Sequence, residues 1–177
     1  MNIPNMLSLM RLLMVPLFPI IYNSGAPHAH LYAAGLYLIA ACTDVVDGWL
    51  ARRNGQITRL GRILDPLADK SMAFTVLLTI TIAGVVHWWA VLVLFAKELT
   101  MGIGAMTMLR KRNDVFPAVN IGKIATVVFF AVCIILVVFK NQITPLVSNT
   151  MLAVAVSMNL IALFYYLYMY LRKQEKN

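Results

Sequence analysis

Acidic side chains are scarce in this chain, 7 among 177 residues against 15 lysines and arginines, which gives a formal charge of +8. Charged residues together make up 12% of the sequence, whereas soluble domains carry about a quarter. That shortage excludes a soluble globular protein and predicts an all-α, polytopic integral membrane protein. Cysteine is nearly absent: Cys42 and Cys133 lie in apolar runs without a C-x-x-C spacing. A disulfide framework and a thiolate zinc site are thereby excluded, and both cysteines are expected to be small buried residues. No basic helix with polar surroundings is present to enter a groove, so nucleic acid is not an expected partner. Repeats, low-complexity tracts and long linkers are also lacking, which predicts a single membrane domain over residues 1–177. The N-terminus has no basic cluster ahead of its apolar stretch, so the first run is expected to stay as a helix rather than be removed.

What the chain does have is apolar length. A spanning helix needs about 20 mostly apolar residues, and six runs qualify: Ile3 to Tyr22, Leu31 to Leu50, Leu67 to Val86, Trp88 to Leu109, Ile121 to Phe139 and Met151 to Leu171. Short connections predict antiparallel neighbours packed as one bundle of six transmembrane helices. Lysine and arginine gather in alternate connections, at Arg52 to Lys70, at Arg110 to Lys123 and in the tail, while the other connections hold only Lys140. The positive-inside rule then puts both termini and the Arg52 to Lys70 segment on the cytoplasmic side of the cell (inner) membrane. His28 and His30 are read as interfacial loop residues rather than a metal pair, and His87, Trp88 and Trp89 as an interfacial belt. Pro16 and Pro19 are expected to bend the first helix.

Four of the seven carboxylates fall within Asp44 to Asp69. At 100° per residue Asp44, Asp47, Gly48 and Ala51 share one helix face, and Gly61, Asp65, Ala68 and Asp69 share a face of the next. Two such faces meeting would collect four carboxylates around small residues. At an effective dielectric of 20, two carboxylates about 5 Å apart repel by roughly 3 kcal/mol. Either some are protonated or cations are bound. Oxygen-only ligands favour Mg²⁺ or Mn²⁺ over zinc, and two such ions would clamp a phosphate. Arg52, ending the same helix, suits an anionic ligand because a guanidinium grips phosphate with two hydrogen bonds.

The run Asp44-Val-Val-Asp47-Gly48-Trp-Leu-Ala51-Arg52, followed after eight residues by Gly61-Arg-Ile-Leu-Asp65-Pro-Leu-Ala-Asp69, resembles the full signature of the CDP-alcohol phosphatidyltransferases. The resemblance implies a six-helix membrane fold, commonly a homodimer, in which an alcohol displaces CMP from a CDP-linked lipid at two divalent ions. It also implies that Asp44, Asp47, Asp65 and Asp69 are metal ligands, that Asp69 is the general base, and that Gly48, Arg52 and Thr58 contact the CDP portion. The start Ile3-Pro4-Asn5-Met-Leu-Ser8 is similar to the family's opening near the nucleotide, with Ser8 where Thr is more usual. Within the family the chain most resembles the phosphatidylglycerophosphate synthases, through its opening, Asp65 to Lys70, Lys97-Glu98, and Gly122-Lys123 with Thr126. Their donor is CDP-diacylglycerol and their acceptor glycerol 3-phosphate. Arg110, Arg112 and Lys123 are candidates for the second phosphate site that this acceptor needs. Lys97 and Glu98 are either a mutually compensating pair or part of the site.

Three other readings compete. A relative of the same fold using phosphatidylglycerol (a cardiolipin synthase), or a phosphatidylserine synthase, would need no second phosphate site. A divalent-cation transporter would place acidic residues at several depths, whereas these four gather at one side. A scaffolding protein would tolerate loss of Asp69.

Overall fold

The computed structural model describes residues 3–54, 61–110 and 120–174. Among them the chain is all-helical, with α1 at Ile3–Tyr22, α2 at Ala29–Asn54, α3 at Gly61–Ile82, α4 at Trp89–Arg110, α5 at Asn120–Val138 and α6 at Pro145–Gln174. Three stretches, Asn5–Tyr22, Ile121–Val138 and Pro145–Met169, are long and apolar enough to cross a membrane by length and composition, as expected for an all-α membrane protein. Helices α2 and α3 extend beyond the expected Leu31 to Leu50 and Leu67 to Val86 at the ends that carry the aspartates. Apolarity marks the part of a helix that meets lipid or core, and backbone hydrogen bonding continues past it. Helix α6 begins at Pro145 rather than Met151, because proline in a first turn lacks only an amide that would have no helical partner.

The chain forms two compact units, one of Met1–Val85 with Ile134–Gln142 and one of Val86–Cys133 with Ile143–Asn177. In the first, α1 packs against both α2 and α3. Its buried stripe runs Asn5, Ser8, Arg11, Phe18 and Tyr22, at intervals that return to one helix face. Facing helices supply Ala29, Ala33, Tyr37 and Ala40 from α2 and Ala68, Met72, Val76 and Ile80 from α3. Alanines let the backbones approach closely. The stripe is aromatic at its C-terminal end, where Phe18 stacks on Tyr22 at 6.0 Å and meets Tyr37 edge-on at 6.1 Å. Lys140 Nζ sits 4.4 Å above the Tyr22 ring. Pro16 and Pro19 both lie inside α1, and Asn23 closes its end by donating to the Pro19 carbonyl from the backbone at 3.0 Å and from Nδ2 at 2.9 Å. Buried Thr79 and Thr81 donate to their own helix, at Thr75 O and Leu77 O, which satisfies hydroxyls in an apolar setting.

In the second unit α4 packs on α6. Lys97 Nζ donates to Glu98 Oε1 at 2.7 Å and to Asn159 Oδ1 at 3.2 Å. The Asn159 amide nitrogen donates in turn to Ala125 O at 3.2 Å and Ala155 O at 3.0 Å. One polar knot thus ties α4, α5 and α6 together. The His87 amide is held by Asn149 Oδ1 at 3.0 Å, beside an exposed Trp88. Cys133 is buried as expected, whereas Cys42 is exposed: on α2 it lies off the Ala33, Tyr37 and Ala40 stripe that α1 covers.

Candidate active site

The described carboxylates of the acidic stretch are Asp44 on α2 and Asp65 and Asp69 on α3. Helices α2 and α3 touch less than either touches α1, and the polar end of the α1 stripe supplies the bonds. Arg11, 1% exposed, donates from Nη1 to Asp44 Oδ1 at 2.6 Å, while the Asp44 side chain is 44% exposed. Ser8, fully buried, donates its hydroxyl to the Asp65 carboxylate. Residues three apart on a helix are neighbours, with Cβ atoms about 5–6 Å apart. Ser8 and Arg11 therefore hold carboxylates of two different helices at adjacent points on a third. To the described part of the two acidic faces α1 thus brings a guanidinium and a hydroxyl; the side chains of Asp47, Gly48 and Ala51, which complete the α2 face, lie outside the described residues.

Asn5 is buried one turn before Ser8. Asp69 is exposed one turn after Asp65, and Gly61 and Ala68 are buried on the same helix, as small residues admitting a close neighbour. Asp47, Gly48 and Arg52 belong to α2, but their side chains lie outside the described residues, as does Thr58. Arg110 ends α4 with its side chain outside the described residues, Arg112 lies outside them altogether, and Lys123 is exposed on α5. Lys97 and Glu98 are paired with each other.

Among the described residues no three His, Cys, Asp or Glu side chains form a metal-binding group. The donors that are described nevertheless fit a hard divalent cation: Asp44 and Asp65 offer oxygen only, and Asp44 is open to solvent on one side. Arg11 is the site residue that reading the sequence missed. It is the lone charge in the Ile3 to Tyr22 run, and an intramembrane guanidinium calls for a carboxylate partner; its spacing from Ser8 names the face on which to look.

Comparison with known proteins agrees with the signature. The family described as CDP-alcohol phosphatidyltransferase matches residues 1–168, across both compact units; the family is generally dependent on divalent metal. A Sodalis glossinidius protein named CDP-diacylglycerol–glycerol-3-phosphate 3-phosphatidyltransferase is 34% identical over 175 residues, covering 95% of this chain and 94% of its own length. A Mycobacterium tuberculosis protein named "Probable phosphatidylglycerophosphate synthase" is 35% identical over 130 residues, 72% of this chain but 61% of that protein. A Mycobacterium bovis protein named "Putative cardiolipin synthase" is 32% identical over 154 residues, 86% of this chain and 71% of its own.

Proposed function

Because the chain belongs to the CDP-alcohol phosphatidyltransferase family, we propose that it transfers the phosphatidyl group of CDP-diacylglycerol to glycerol 3-phosphate, forming phosphatidylglycerophosphate and releasing CMP. The observation that carries this reading is the near end-to-end match to the Sodalis glossinidius protein of that name. Asp44, Asp47, Asp65 and Asp69 would hold two divalent ions, Mg²⁺ or Mn²⁺, which when bound neutralise charge on the diphosphate. Arg52, Gly48, Thr58, Asn5 and Ser8 bind the CDP end; the bond from Ser8 to Asp65 supports a place for Ser8 beside the carboxylates. Asp69 takes the proton of the acceptor hydroxyl. The acceptor oxygen then bonds to the phosphorus that bears the lipid oxygen, and the bond from that phosphorus to the CMP oxygen breaks. A carboxylate is in general a weak base for a hydroxyl, and divalent ions held by these aspartates would supply charge that acidifies the hydroxyl facing Asp69. Arg110, Arg112 and Lys123 receive the phosphate of glycerol 3-phosphate.

The reading includes a single domain over residues 1–177, six spans, a homodimer, and an inner-membrane location with the site and both termini facing the cytoplasm. The single domain is supported by a family match that runs through both units. The orientation is supported by the lysine and arginine asymmetry.

A second reading, phosphatidylglycerol as acceptor, is favoured by the Mycobacterium bovis relative. Purified protein given CDP-diacylglycerol with each acceptor in turn decides between them. CMP release is expected with glycerol 3-phosphate; release with phosphatidylglycerol alone would replace the first reading by the second.

A further inference from the structure

We infer that Arg11 is the resident counter-cation of the carboxylate site, holding Asp44 until a divalent ion binds and competing with that ion for it. The inference rests on the metal-binding reading above and goes beyond it, since Arg11 belongs to no signature position. Three observations carry it. Arg11 is buried to 1% exposure while Asp44 is half open, so the cation is fixed and the carboxylate can be approached. The 2.6 Å bond engages Asp44 Oδ1, an atom of a proposed metal ligand. And Ser8, one turn away, supplies a neutral donor to Asp65, so the two carboxylates are held by donors of different charge.

Two effects then act in the same direction when Arg11 loses its charge. A dication entering beside a guanidinium is repelled by it, and that repulsion disappears. Asp44 without Arg11 loses a charged partner in the free protein, and a bound ion takes that partner's place. By linkage, both tighten ion binding. A residue that merely supported the fold would loosen the site when removed.

The test is Mn²⁺ binding, followed by electron paramagnetic resonance on the full-length protein in lipid nanodiscs without substrate. Arg11→Met and Arg11→Gln are expected to bind Mn²⁺ more tightly by about tenfold, the scale of one charge-assisted hydrogen bond, and Arg11→Lys to stay near wild type. Circular dichroism selects the folded neutral variant to be read. Unchanged or weaker binding in a folded neutral variant overturns the inference and leaves the metal reading standing. A wild-type protein that binds no Mn²⁺ overturns both.

Discussion

Among the described residues each compact unit holds an ion pair in largely apolar surroundings, and the two are built differently. In the second unit Lys97 and Glu98 are adjacent in sequence and neutralise each other, and Asn159 extends the pair to two backbone carbonyls. The Lys97 ammonium and the Asn159 amide are thus answered inside the protein. In the first unit the cation is buried and its carboxylate is half exposed, with Asp65 of α3 held by Ser8 one turn along α1. Here the cation is enclosed while the carboxylate that answers it is half open to solvent. A closed polar group in a membrane protein stabilises helix packing; one with an open carboxylate can also be approached by a ligand. Sequence alone does not separate them, because Lys97-Glu98 and Asp44 to Asp69 are both charges in apolar runs.

That contrast can be broken by substitution, most sharply at Asp69. Asp69→Asn is expected to lower CMP release by about 10²–10⁴-fold, the usual worth of a general base, while circular dichroism stays that of the wild type. Retained turnover would remove Asp69 from its role. Ser8→Ala removes the hydroxyl that holds Asp65 and is expected to slow turnover by about tenfold, as for one hydrogen bond to a charged group, with little change in melting temperature. If the melt falls and the rate does not, Ser8 is a packing residue. Lys97→Met should do the reverse, costing about 1–3 kcal/mol of stability because Glu98 and Asn159 lose their donor. Its turnover, measured well below the melt, should hold near wild type. A collapse of rate in a folded Lys97→Met protein would make the second unit's knot part of the site and erase the contrast.

How far the sequence revealed these features follows from what each depends on. Helix α1 ends where its apolar run ends, at Tyr22, because Asn23 and a glycine-containing turn follow. The acidic faces were legible because three- and four-residue spacings need nothing beyond helical geometry. The ends of α2 and α3 were not legible from apolar length, since both helices carry polar sequence past the apolar run. Nor was the role of α1 as the element between α2 and α3, which depends on tertiary contacts of Arg11 and Ser8 with residues 33 and 57 positions away. Asn159 was hidden for a similar reason: a single amide in an apolar helix has no periodic signal, and its partners lie on α4 and α5.

The separation of 33 positions between Arg11 and Asp44 also bears on how the protein is made. Arg11 leaves the ribosome long before its partner exists, in a helix otherwise apolar enough to enter the bilayer. A bare guanidinium in hydrocarbon is costly, so α1 cannot settle at its final depth alone. Its charge is matched only when α2 delivers Asp44, and Ser8 meets Asp65 later still. The placement of α1 is in this way coupled to the arrival of the two helices that follow it.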